Sequence, residues 1–305
     1  MYRFFPIEEF SPNSLTSLNF SYDLLITCAP SEERGNYSDE QCRRGCRNVE
    51  YVCYDSESLV FRVGDGEMYL FDFFESTHFL DQESVLFDAT NLGFAEIVII
   101  LRHIVDNGVA DNIGFFYSEP SFYKDKVTTP NQVRAFDLSE KVNDIDIIPS
   151  FYSHVGDDIG SYLLAFLGFE DVRLSRALNT DEGNDFDELS VAFTVPPFQT
   201  GWEGHALMAN SLVLENESNL RESFFVSGNQ YISAYRLIVE QKQYAERANM
   251  VLSLAPLGAK PSSIAVALAA ATDKELNVLY DFPKRKPMSS SGIGKSHHYR
   301  VEIER

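Results

Sequence analysis

The chain has 305 residues, 44% apolar and 13% aromatic, with 24 Phe and 15 Tyr. That is ample for a packed core and excludes a disordered or low-complexity chain, while the length allows one large domain or two modest ones. The 25 Lys and Arg against 46 Asp and Glu give a formal net charge of −21, so the surface repels phosphate backbones, and broad nucleic-acid or anionic-membrane binding is not expected.

The opening stretch MYRFFPIEEF has no basic n-region and no uninterrupted apolar run, and the most apolar segment, 97–105, is broken by Arg102 and His103. Neither a signal peptide nor a spanning helix is expected, and the reading is of a cytoplasmic protein. Cys28, Cys42, Cys46 and Cys53 are its four cysteines. Cys42 and Cys46 stand at i,i+4, the spacing of half a zinc site, but no further ligand keeps step with them. They are read as reduced thiols, with no metal.

Along the chain, short apolar runs end in turns and are followed by amphipathic segments. Residues 24–29 (LLITCA) predict a strand, followed by the turn 30–35 and a polar helix to 41. A strand at 49–54 precedes a hairpin, whose arms 59–63 and 68–73 flank Gly64-Asp65-Gly66. Residues 84–88 predict a strand, Thr90-Asn91 a helix cap, and Phe94, Ile97, Val98 and Leu101 keep helical spacing. A strand follows at 112–117, and the pattern then loosens into an exposed loop at 124–131 and an extended edge at 142–148.

Alternation resumes with a strand at 162–167, a helix at 170–178, a strand at 189–194 and a helix at 202–213. A long helix at 229–248, a strand at 250–255 and an alanine-rich helix at 261–271 follow, the last with proline in its first turn. Strands at 276–281 and 299–303 close the series. The expectation is an α/β protein with doubly wound, mainly parallel, Rossmann-like sheets and an added β-hairpin. Its halves are expected at 1–135 and 136–305. They share a layout, since Leu24-Leu25 with Glu32 and Arg34 is matched by Leu163-Leu164 with Glu170, Asp171 and Arg173.

Open α/β sheets bind ligands beyond the carboxyl ends of their strands. That rule selects the loops 30–35, 168–173 and 256–261. In the last of these a buried strand runs into Gly258, then Lys260, then Pro261-Ser262-Ser263 at a helix start, where free N–H groups favour an anion. The stretch LSLAPLGAKPSSIAVALAAA, with the following LNVLYDFP, resembles the ligand loop of CARF-type Rossmann domains. Those domains sense cyclic oligonucleotides in prokaryotic defence, usually as dimers. The resemblance implies a ligand role for Gly258, Lys260 and Ser262, although Pro256-Leu257 and Ala259 depart from the family's Thr- and Gly-rich turn.

The tail from 282 onward carries an excess of four positive charges and the segment SSSGIGKS, one glycine short of a Walker A loop. An alternating segment follows it instead of a helix, so the expectation is a Ser/Gly loop at the ligand edge, with Gly294 and Lys295 available to an anion. Glu32, Glu33 and Glu170 lie at strand ends, where acid/base groups often sit, and Asp144-x-Asp146 could hold Mg²⁺, although surface carboxylates are the commoner reading of each. Asp88, between a strand and a helix, is the better placed acid and is equally explained as a cap.

The leading expectation is a non-catalytic module of a prokaryotic, antiviral system. It binds a nucleotide-like anion through Gly258, Lys260, Ser262, Gly294, Lys295, Arg34 and Arg173, and works as a homodimer or as a subunit of a protein complex. No cofactor is expected beyond such a nucleotide ligand. The alternatives are a nucleotide-processing enzyme, with Glu32, Glu33, Asp88 or Glu170 as acid/base, and an acidic scaffold subunit.

Overall fold

The computed structural model describes residues 2–12, 20–108, 110–124, 136, 138–141, 146–152, 158–179, 186–286 and 288–304. The expected exposed loop from 125 onward and the Asp144 half of the Asp-x-Asp pair lie outside them, as does the side chain of Asp146. In chain order the elements are β1 (Tyr2–Phe4), β2 (Glu8–Phe10), β3 (Tyr22–Thr27), α1 (Glu33–Arg44), β4 (Cys46–Asp55), β5 (Val60–Val63) and β6 (Gly66–Tyr69). Next come α2 (Leu70–Glu75), β7 (Ser84–Asp88), α3 (Phe94–Asn107), β8 (Asn112–Tyr123), β9 (Ser139–Lys141), β10 (Asp146–Ile147) and β11 (Gly160–Phe166). The series ends with α4 (Asp171–Leu178), β12 (Glu188–Thr194), α5 (Trp202–Glu215), β13 (Leu220–Val226), α6 (Tyr231–Arg247), β14 (Met250–Pro256), α7 (Lys260–Thr272), β15 (Asn277–Tyr280), β16 (Lys284–Arg285) and β17 (Ser290–Ile303).

This is an α/β protein whose chain divides into two compact units, Met1–Tyr123 with Ser290–Arg305, and Lys124–Ser289. No helix among the described residues is long and apolar enough to cross a membrane.

In the first unit the strands follow the order β1-β17-β8-β7-β3-β4-β5-β6. β4, β3, β7 and β8 are mutually parallel, while β17 and the hairpin β5–β6 are antiparallel additions. β3 and β7 are nearly continuous apolar runs because both faces are covered. Beyond Val52, β4 alternates buried and exposed, as a strand with one wet face does. Cys42 lies in the core under α1 with Tyr22, Leu25, Leu86 and Phe116, and burial pushes its thiol well above the ordinary range.

In the second unit the order is β10-β15-β14-β11-β12-β13, and every pairing from β15 to β13 is parallel. One core layer comprises Leu163, Leu167, Leu174, Leu189, Val191 and Phe193 with residues of α4 and α5, and α6 packs against α7. From Lys260 to Ala271 every residue of α7 is buried, and its alanines leave room for that enclosure.

Three local expectations are corrected. The hairpin arm 68–73 stops at Tyr69, and α2 takes over because Leu70 and Phe73, three apart, are buried while Phe71 and Asp72 face solvent. The cap of α3 is Gly93 rather than Thr90-Asn91, which fold into a turn around Asp88. The Ser/Gly segment of the tail is not a loop but the first half of β17, paired with β8 from Ser290 onward.

Candidate functional site

At the carboxyl edge of the second sheet, β11 and β14 lie side by side and lead into different helices. α4 follows β11 and packs on α5, while α7 follows β14 and packs on α6. The intervening loops touch each other. A Cβ on Gly258 would stand 2.8 Å from the Leu167 carbonyl oxygen, and one on Gly168 would stand 2.9 Å from that of Leu257. Both glycines are therefore required by backbone-to-backbone packing, which is a reason for Gly258 independent of any ligand. Asn210 of α5 braces the same place by donating its Nδ2–H to the Gly168 carbonyl at 3.0 Å.

Arg173 spans this edge. Its Nε and Nη2 donate to the two oxygens of Asp281 at 2.5 and 2.7 Å, and its Nη1 donates to the Leu257 carbonyl at 2.7 Å. Arginine and aspartate are both buried. Burial alone would lower the guanidinium's pKa, but the paired Asp281 carboxylate raises it further, so the charge is fixed. Arg173 thus ties the ends of β14 and β15 to α4. Just before α4, the Glu170 carboxylate accepts a hydrogen bond from Ser139 Oγ at 3.1 Å. Burial raises its pKa, with the Arg173 charge opposing.

The first turn of α7 completes the edge. Its N-cap, Ala259, has an extended backbone and supplies no side-chain cap. Lys260 is 8% exposed and Ser262 3%. Lys260 thus stands at the first position of α7, where the helix N-terminus is itself the positive end of the helix dipole.

The corresponding edge of the first sheet is tied up internally. Asp88, at the end of β7 and fully buried, accepts hydrogen bonds from Ser38 Oγ at 2.6 Å, Asn91 Nδ2 at 2.6 Å, Thr27 Oγ1 at 3.1 Å and the Thr90 amide at 3.1 Å. Burial raises its pKa, and these donors oppose the shift. Arg34 donates through Nε to Glu32 at 3.1 Å and to Ser290 Oγ at 3.0 Å, and through Nη1 to the Ser118 carbonyl at 3.0 Å. Glu32 also accepts from the Ser290 amide at 3.2 Å, and Glu33 from the Gly292 amide at 3.3 Å.

Arg34 and Arg173 both tie a helix to two strands. Each reaches from the first helix described in its unit to two later strands: Arg34 to the middle of β8 and the start of β17, and Arg173 to the ends of β14 and β15. Gly294 lies within β17, where a Cβ would stand 3.0 Å from that of Glu119. Exposed Lys295 pairs with Glu9 at 2.6 Å.

The predicted site residues fall into two groups. Glu170, Arg173, Gly258, Lys260 and Ser262 share the carboxyl edge of the second sheet, and Glu32, Glu33, Arg34, Asp88, Gly294 and Lys295 belong to the first unit. Sequence reasoning missed Asp281, although it closes a predicted strand, and the pair formed by buried Glu119 and His297. It also missed the chain in which His298 bonds Tyr22 through Nε2 at 2.9 Å and Glu8 through Nδ1 at 3.0 Å. Adjacent histidines in an alternating segment were the available signal. No family model matches this chain, and neither does any curated protein.

Proposed function

We propose that the chain is a non-catalytic, Rossmann-like binding module that takes a nucleotide-like anion at the carboxyl edge of its second sheet. The first turn of α7 holds the phosphate, with Lys260 supplying charge and Ser262 a hydroxyl. The observation that carries this reading is the buried Lys260 at an uncapped helix N-terminus, beside the point where β11 and β14 send their helices to different partners. Strand order 3-2-1-4-5, counting from β11, supports the doubly wound assignment, since such sheets bind ligands at that divergence. The resemblance of the α7 loop to CARF-type domains supports a cyclic or linear oligonucleotide as ligand and a place in a prokaryotic defence system.

Arg173 serves this site as a clamp, with its charge neutralised by Asp281. Isothermal titration of the full chain with a panel of cyclic and linear oligonucleotides tests the reading. Binding is expected for at least one ligand and weakens tenfold or more in Lys260→Ala, with Ser262→Ala weakening it less. Unchanged affinity in Lys260→Ala would remove the site. The raised pKa of Glu170, on the same edge, favours a second reading as a nucleotide-processing enzyme. Turnover of a bound nucleotide that disappears in Glu170→Gln would establish it in place of the first.

A further inference from the structure

Away from both carboxyl edges, the first unit has an open cleft of about 750 Å³, within the size range of small-ligand sites. It lies between the early part of β4 and the loop that precedes β7. Leu24, Phe79 and Leu80 give it apolar lining, and Asn48, Glu50, Thr77, His78, Asp81 and Gln82 supply its polar groups; Val49 borders it from β4, with its side chain packed into the core on the strand's other face. Neither lysine nor arginine is among these residues, and two are carboxylates. Asn48 and Glu50 alternate along β4 with Val52 and Tyr54, so all four lie on one face of the strand.

The loop is fixed in shape. The Phe79 backbone is left-handed, at φ 66°, a conformation costly for a bulky side chain. Its buried ring stands 6.1 Å from that of Phe73 and holds the loop there. Ser76 Oγ donates to the Phe73 carbonyl at 2.7 Å, and His103 Nε2–H donates to the His78 carbonyl at 2.9 Å. Gln82 Nε2 donates to Asp81 Oδ1 at 2.6 Å, which orients that carboxylate. The cleft is thus preformed, so a ligand has little ordering to offset.

We infer that this cleft binds an organic cation, an ammonium or guanidinium group on an alkyl stem. Glu50 and Asp81 receive the charge, and Leu24 and Leu80 cover the stem. Alkyl-chain cations match a site with apolar walls and charged lips, because the stem is buried while the head keeps its hydrogen bonds. One exposed carboxylate gains little from an ion pair. Two carboxylates in a concave wall, on a chain of net charge −21, focus the field and favour cations over anions.

The same chemistry is carried by a free polyamine and by a lysine or arginine side chain of a protein partner. The test titrates the full-length protein with spermidine and, separately, with a short neutral-backbone peptide carrying one arginine. Calorimetry gives stoichiometry, and methyl NMR reads Leu24 and Leu80. One-to-one binding by either probe is expected, with shifts centred on those methyls and affinity falling at least tenfold in Glu50→Gln/Asp81→Asn. Spermidine alone binding identifies a polyamine site, and the peptide alone a side-chain site. The inference is overturned if neither probe binds one to one, or if binding survives in the double variant. Thermal melting of that variant distinguishes a lost site from a lost fold.

Discussion

Arg34, Asp88, Arg173 and Asp281 are buried and each is held by hydrogen bonds, and each such engagement carries a definite cost or benefit. Arg173 and Asp281 exchange two hydrogen bonds out of solvent, an arrangement in which removing one partner typically costs about 3–5 kcal/mol because the other charge is stranded. His298 is a buried group whose folded-state protonation differs from that of the unfolded chain. Burial holds its pKa below the usual histidine value. Glu8 pulls the other way, Arg300 adds to the lowering, and Tyr22 bonds the ring while Phe20 packs against it. The folded chain therefore resists a proton that the unfolded chain accepts. His298 contributes stability that is fully present above the unfolded value of about 6.5, and is lost as pH falls below it toward the lower folded value. Urea denaturation of wild type and His298→Gln at about pH 7.5 and about pH 5.5 reads this directly. The stability gap between the two proteins narrows at the lower pH. A gap that stays constant would mean that the imidazole takes up its proton equally in both states.

Among elements, the central strands were the most legible, because continuous apolar runs such as LLIT and YLLAF can only be covered on both faces. β13 was not legible. Its burial alternates poorly and charges sit at Arg221 and Glu222, as suits a strand at the sheet edge. The loops at the candidate site were legible as glycine-bearing turns, but sequence could not say what their glycines accommodate. At Gly258 the answer is the backbone at the end of β11 and the start of the loop after it, with three atoms of Phe166 and Leu167 at 2.8–3.1 Å from a would-be Cβ. At Gly204, in the first turn of α5, nothing lies within 4 Å. Alanine at these two positions should act with opposite sign. Gly258→Ala forces the two loops apart and lowers stability by about 1–3 kcal/mol. Gly204→Ala raises it by up to about 1 kcal/mol through helix propensity. Denaturant midpoints at unchanged slope measure both, and stabilisation by Gly258→Ala would show that the loops do not meet as described.

At the scale of the whole molecule, periodicity has no information about which distant strand a segment will join. The final alternating segment, His297 to Ile303, was recognisable as a strand, yet nothing in it announces that it pairs antiparallel with β8, more than 170 residues earlier. That pairing makes Lys124–Ser289 an insertion between two neighbouring strands of the first unit. Its ends are adjacent, since Tyr123 and Ser290 are register partners and the Lys124 amide donates to the Ser289 carbonyl at 2.9 Å. Antiparallel neighbours can be joined by a loop of about two to five residues. Replacing 124–289 with an Asn-Gly turn should therefore leave a first unit that folds, with β8 and β17 closed as a hairpin. The core residues that matter for this, Leu25, Leu86, Phe116, Tyr22 and Cys42, all lie within the retained segments. Circular dichroism of the shortened chain should show mixed α/β structure and a single cooperative melt, with dispersed NMR resonances for Leu25 and Leu86. A chain that collapses without a cooperative transition would mean that the first unit draws its stability from the inserted one, and that the two fold as a single cooperative body.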